Sequence, residues 1–125
     1  MNFNWEQAMK YDIYKIVGEN AITSEDGQKL YNLICEELLK GKEVELDFSK
    51  VKIFASPFFN FGIGQLLKSF KYEDLKTKLH LIQINIIGKH ILDKVLENAK
   101  NYYTDPNLKK AVDKIIDERE NNVWH

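Results

Sequence analysis

The chain has 125 residues, of which 44% are hydrophobic and 30% charged, values that fit one globular domain and rule out wholesale disorder. Six Gly and two Pro exclude a collagen-like chain, and a single cysteine, Cys35, excludes an internal disulfide or a multi-cysteine zinc site. Lys and Arg number 18 against 19 Asp and Glu, and a net charge of −1 argues against a general nucleic-acid binder, which carries a basic excess.

Tyr11–Val17 is rich in β-formers and ends at Gly18, which predicts a first strand. Thr23-Ser24-Glu25-Asp26 resembles a capping box, and Leu30, Tyr31, Ile34 and Leu38 follow at helical spacing. With Lys40-Gly41 as a stop, a helix is predicted over 24–40. Glu43–Phe48 alternates strictly and predicts a half-buried strand with Val44, Leu46 and Phe48 inward. Ser56-Pro57 then reads as an N-cap followed by proline at the first helical position, opening a helix over 57–70. In that helix Phe59, Gly62, Ile63, Leu66, Leu67 and Phe70 share one face, with Phe58 and Phe61 off it. Gly62 on this face is expected to allow close packing of the helix on the sheet.

Leu79–Ile84 predicts a third strand, and 86–102 a helix with the stripe Ile91, Leu92, Val95, Leu96, Ala99 and Tyr102. Asp105-Pro106 repeats the cap signature before a helix over 105–120, whose stripe is Leu108, Ala111, Val112, Ile115 and Ile116. That stripe must bury against its own domain or against a second copy of the chain, so a homodimer is one expectation. The order β-α-β-α-β-α-α implies parallel strands joined by crossovers. The expected fold is α/β: a small, mostly parallel sheet of three or four strands with covering helices. A fourth edge strand would come from residues before Tyr11 or around Val51–Phe54. One domain over 1–125 is expected, with its core at about 11–103 and the last helix added to it.

No apolar run reaches the ~18 residues of a membrane-spanning helix, and the polar start MNFNWEQAMKYD has no h-region, so neither membrane nor signal peptide is expected. The chain is expected to be cytoplasmic. Its 17 Lys, 13 Ile and 11 Asn have AT-rich codons, which points to a bacterial gene.

Chemistry-bearing motifs are sparse. His80, His90 and His125 are scattered without ligand spacing, so no metal is expected. Cys35 is expected within the buried stretch of the first helix, as a small hydrophobe without a base beside it. There is no G-x-S-x-G elbow. Phe61-Gly62-Ile63-Gly64 lacks a third glycine, and Gly88-Lys89 lacks the upstream glycine of a phosphate loop. Glu43, Glu45 and Asp47 form an acidic strand face, read first as a hydrated surface and second as a site for a cation or basic partner, offset by Lys50 and Lys52.

One run carries more. Val44-Glu-Leu-Asp-Phe-Ser-Lys-Val51 leads through four residues to Ser56-Pro57-Phe58, a strand, a short loop and a serine opening a helix. This resembles the core of STAS domains, the anti-sigma-factor-antagonist fold, and more closely the bacterial STAS-like domain family of unknown function. Val44, Leu46, Asp47, Phe48, Val51 and Ser56 carry the register, and the likeness spans about residues 11–100. Antagonists of this fold carry Asp-Ser-Ser-Gly or a similar run at the loop, whereas here the residues are Ala55-Ser56-Pro57-Phe58.

The resemblance implies a non-enzymatic, regulatory protein-interaction module without cofactor, with a kinase-type ATPase of the histidine-kinase class or an anti-sigma-like regulator as partner. Ser56 would be the candidate phosphoacceptor of a partner switch, besides capping its helix. Phe58, Asn60 and Phe61 would join it in the partner surface. The competing expectation is a small-molecule or nucleotide-binding α/β domain, enzymatic or not, using the crevice at the carboxyl ends of the strands.

Overall fold

A computed structural model describes residues 8–123, with side chains through residue 118. Strands are β1 (Met9–Asp12), β2 (Asn20–Ala21), β3 (Val44–Asp47), β4 (Ile53–Phe54) and β5 (Leu79–Ile82). Helices are α1 (Ile13–Val17), α2 (Ser24–Leu39), α3 (Ser56–Gly62), α4 (Tyr72–Lys78), α5 (Ile86–Thr104) and α6 (Pro106–Val123), with a 3-10 helix at Gly64–Lys68. The main sheet is parallel with order β1-β3-β5, so β3 is interior as its alternation predicts. β2 and β4 form a separate two-stranded parallel sheet. The expected α/β class therefore stands, and the fourth strand expected near Val51–Phe54 pairs with β2 and not with the main sheet.

In the main sheet Val44 and Leu46 are buried between Met9, Tyr11, Leu79 and Leu81 in register, and this face joins the core. The opposite face carries Lys10, Glu45 and His80 in one row and Asp12, Asp47 and Ile82 in the next. Its acids and His80 are half-buried, and His80 Nε2 lies 3.4 Å from a Glu43 carboxylate oxygen. α2, α3 and α5 form one helical layer with α3 in the middle.

The first predicted strand is only half strand. Ile13, Ile16 and Val17 recur at i, i+3 and i+4, and this spacing, which buries Ile13, overrides the β-propensity of Tyr, Ile and Val. Gly18 ends that turn at φ 82, with its N–H donating to the Tyr14 carbonyl. The third predicted strand stops at Ile82 because Gln83 takes φ 54 and turns the chain.

The helix expected over 57–70 begins at Ser56 and breaks at Ile63, φ −124, continuing as the 3-10 helix. Two glycines flank the break, which weakens helix propensity there, and Gly64 is pressed on α5: a Cβ added to it would sit 3.3 Å from Val95 Cγ1. α4 is an addition, a short helix that buries Leu75.

Gly62 does not pack on the sheet as expected. It meets Gly27 of α2, in a helix crossing that places backbone on backbone. A Cβ on Gly27 would lie 2.4 Å from the Phe58 carbonyl oxygen and 3.0 Å from Gly62 N. A Cβ on Gly62 would lie 3.2 Å from Leu30 Cδ2. Around this crossing Leu30, Ile34, Phe58, Phe59 and Leu66 are fully buried. Each contributes roughly 1.5–3 kcal/mol of burial, which the close approach of α2 and α3 makes available.

Alanine at position 27 tests this contact. Helix propensity alone favours Ala over Gly by about 1 kcal/mol. We expect Gly27→Ala to destabilise the protein by about 1–3 kcal/mol instead, the usual range for overpacking. Urea unfolding would read it as a lowered midpoint, and a raised midpoint would contradict the crossing.

Candidate functional site

The signature run of β3 and the loop after it can be read atom by atom. Val44, Leu46 and Phe48 point into the core and are fully buried. Asp47 faces the other way, and its Oδ1 accepts the Ser49 N–H at 2.8 Å, an Asx turn that starts the loop. The Val51 N–H donates to the Phe48 carbonyl at 3.0 Å, closing the turn, and the Val51 side chain is buried. β4 then runs beside β2, and the Ala55 N–H donates to the Ala21 carbonyl at 3.0 Å. The chain thus reaches Ser56 on a fixed path, clamped on one side by β2.

A phenylalanine cluster lies under this path. Phe54 stacks on Phe59 at 5.5 Å between centroids, Phe48 lies 5.8 Å from Phe54, and Phe58 meets Phe59 edge-on at 5.4 Å. Such pairs add about 0.5–1.5 kcal/mol each beyond area burial. Phe58, expected on the partner surface, is 0% exposed and belongs to this cluster, because a helix held against α2 at Gly27 buries that side as well. It cannot touch a partner.

Ser56 is exposed at the first residue of α3. It is not the N-cap: Ala55 is, in extended conformation, and no side chain supplies a cap hydrogen bond. The helix starts one residue earlier than the Ser-Pro signature implies because the proline is accepted at the second helical position. The neighbouring helices are capped as side chains predict. Thr23 Oγ1 accepts the Asp26 N–H, and Asn85 Oδ1 accepts the Gly88 N–H at 2.8 Å while its Nδ2 donates to the Lys52 carbonyl.

That last bond ties the start of α5 to the loop before β4, and Gly88 of α5 lies against the Phe54 ring. The two sheets therefore share one carboxyl edge, where α2 and α3 begin after the small sheet and α5 begins after β5. That edge also gathers exposed isoleucines: Ile86 is 84% exposed, Ile87 66% and Ile53 54%, with Ile22 nearby after β2. Sequence reasoning missed these. The signal was present for Ile86, which falls on the polar face of α5 with His90, Asp93 and Glu97, out of phase with the buried stripe.

Asn60 and Phe61 are exposed but face elsewhere. They border a groove of about 390 Å³ between α3, α5 and α6, with Tyr102, Tyr103 and Ile116. The expected surface thus divides into an edge at Ser56 and a groove at Phe61. In the groove the Tyr102 hydroxyl donates to Asp113, and this bond, with burial second, pushes its pKa up from 10.0 to about 12. Burial, then the Asp113 charge, raises Tyr103. A second cavity of about 440 Å³, bordered by Lys68, Lys71, Tyr72 and Lys100, lies between the 3-10 helix, α4 and the end of α5. Among the described residues no three His, Cys, Asp or Glu come together to hold a metal, and no helix is long and apolar enough to cross a membrane. His125 lies outside the described residues. Cys35 is half-buried and not fully enclosed as expected, because its neighbour Ile34 takes the core-facing position on α2.

The caps and the tyrosine bond can be tested by substitution. Ser56→Ala should leave stability within about 0.5 kcal/mol, since no cap is lost, whereas Asn85→Ala should cost about 1–2 kcal/mol. Thermal unfolding of both variants would check the contrast, and equal losses would contradict it. Raising the Tyr102 pKa stabilises the neutral phenol, so its contribution is complete below pH 10 and lost as pH rises through about 12. Phenolate absorbance should show a late-titrating fraction that shrinks in Tyr102→Phe, and an unchanged curve would deny the bond to Asp113.

No curated protein and no solved structure matches the chain. One family model does, over residues 26–89, from the first turn of α2 to the first turn of α5. That span holds the glycine crossing, the phenylalanine cluster and the loop that presents Ser56, and it covers just over half of the sequence. The chain belongs to the family described as the STAS-like domain of unknown function (DUF4325).

Proposed function

We propose that this chain is a non-enzymatic regulatory module that docks on another protein through the carboxyl edge of its sheet. The observation that carries this reading is the exposure of Ile53, Ile86 and Ile87 on the edge that presents Ser56. Single exposed apolar residues are ordinary, but several on one edge mark an interaction surface. Full burial of an isoleucine is worth about 1.5–3 kcal/mol, so three of them can anchor a complex. The partner class follows from the family likeness: a histidine-kinase-type ATPase or an anti-sigma-like regulator.

Ser56 is the switch in this reading. A phosphate there would add a charge of about −1.5 to −2 beside apolar anchors, and docking would have to desolvate it. The fold would tolerate the change, because α3 is held by Phe58, Phe59 and the crossing at Gly62 and by no bond from the serine.

Crosslinking capture with the full chain as bait, in lysate of its own organism, tests both parts. One protein should be retained by the wild type and by Ser56→Ala. It should be lost with the double variant Ile86→Asp/Ile87→Asp and with Ser56→Asp, at unchanged melting temperature. Equal retention by the isoleucine variant would overturn the docking edge. Equal retention by Ser56→Asp alone would leave the edge and remove the switch.

A further inference from the structure

The cavity of about 440 Å³ between the 3-10 helix, α4 and the end of α5 differs from the carboxyl edge in place and in chemistry. α4 leads directly into the amino end of β5. α5 starts at the carboxyl edge and runs away from it, so Lys100 stands about 21 Å along the helix from Ile86. Open α/β sheets ordinarily bind ligands at the carboxyl ends of their strands, and this cleft lies at the other end.

The path of the chain opens the cleft. The 3-10 helix ends at Lys68, and residues 69–71 cross to α4 without helical structure. The floor is Leu67, which is buried, with Phe70, Tyr72 and Tyr103, which are half-buried. Three rings thus turn partly outward into one concavity, an apolar surface that the core does not enclose.

The rim is cationic. Lys68, Lys71 and Lys100 stand there against one acid, Glu73, three positive charges to one negative on a chain whose net charge is −1. Lys100 Nζ lies 5.1 Å from the centre of the Tyr72 ring and 4.0 Å from Glu73 Oε1. Both members of that ion pair are largely exposed, so it holds weakly. Lys68 Nζ donates to Gln65 Oε1 and lies 5.6 Å from the centre of the Tyr31 ring. Among the described residues no carboxylate lies within ion-pair distance of Lys68 or Lys71.

Small-molecule sites are concavities of ~300–1,000 Å³, mostly apolar, with a few polar groups that fix the ligand. The cleft has that size and that division, rings below and ammonium groups above. Ring surface suits an aromatic body. Clustered ammonium groups suit a phosphate monoester, which carries about −1.5 to −2 charge at neutral pH, better than a singly charged carboxylate.

We propose that this cleft binds a small aromatic phosphate monoester. Its ring lies against Phe70, Tyr72 and Tyr103, its phosphate is held by Lys71 and by Lys100 released from Glu73, and Lys68 adds charge at the rim.

Phenyl phosphate is the probe, titrated at low salt into the isotope-labelled full chain and followed by amide chemical shifts. Saturable shifts should gather at residues 67–73 and 100–104. Phenol and inorganic phosphate, each with half of the chemistry, should bind about tenfold more weakly or worse, and benzoate should also bind more weakly. Lys71→Gln/Lys100→Gln should lower the affinity for phenyl phosphate about tenfold, with the melting temperature unchanged because both side chains are exposed. Inorganic phosphate binding as well as phenyl phosphate would reduce the cleft to a patch of lysines, and phenol binding as well would deny the anion. Benzoate binding as tightly would remove the selection for phosphate. Absence of saturation, shifts centred elsewhere, or full affinity in the double variant would each overturn the proposal.

Discussion

The position of α3 depends on one contact, the backbone approach of Gly27 to Phe58 and Gly62. With any side chain at Gly27 the two helices would have to move apart, since a Cβ would lie 2.4 Å from a carbonyl oxygen. Closeness at that point turns both Phe58 and Phe59 inward, because α3 is then enclosed by α2 on one side and by α5 on the other. A seven-residue helix has little intrinsic stability. It persists here because tertiary burial of its aromatic residues replaces propensity and capping.

The loop that delivers the chain to α3 is held in the same way, by packing and backbone bonds. Asp47 folds it at one end, β2 clamps it at the other, and Phe48, Phe54 and Phe59 fill the space beneath. The residues that carry the family likeness are thus mostly those that hold the loop. Val44, Leu46, Phe48 and Val51 serve the core, and Asp47 serves the turn. Ser56 alone among them reaches solvent without a cap bond, so its place in the pattern is not accounted for by folding. This contrast is why the serine and the apolar edge around it support a regulatory reading.

Much of the scaffold was legible in the sequence where periodicity and caps agreed. Thr23 and Asp105 mark the starts of α2 and α6, and the alternation of 43–48 marks the interior strand. The misreadings came where local signals competed. Ile13–Val17 has β-forming residues at helical spacing, and one turn is too short for the period to stand out. Ser56-Pro57 satisfies the rule for a cap, yet the helix begins a residue earlier because proline is equally acceptable there. Phe58 lay off the expected apolar face, and only the layer of helices on both sides of α3 buries it. The divided surface was illegible for the same reason: Ser56 and Phe61 are five residues apart in sequence but open onto different neighbours. Ile53 and Ile87 gave no local sign of exposure, since an isoleucine in a strand or beside a buried helical stripe reads as core.

The two surfaces differ in how firmly the fold holds them. At the carboxyl edge, the exposed isoleucines stand on elements locked from beneath: Asn85 ties α5 to the loop, and Phe54 packs against Gly88. Such an edge is rigid before it meets anything, and docking there loses little conformational freedom. On α6 the helix rests on α5 through half of its stripe and one tyrosine–aspartate bond. A rigid edge suits a specific partner and a single modifiable hydroxyl that can spoil the fit. α3 separates Ser56 at its start from Phe61 near its end, and the glycine crossing fixes how that helix sits against α2.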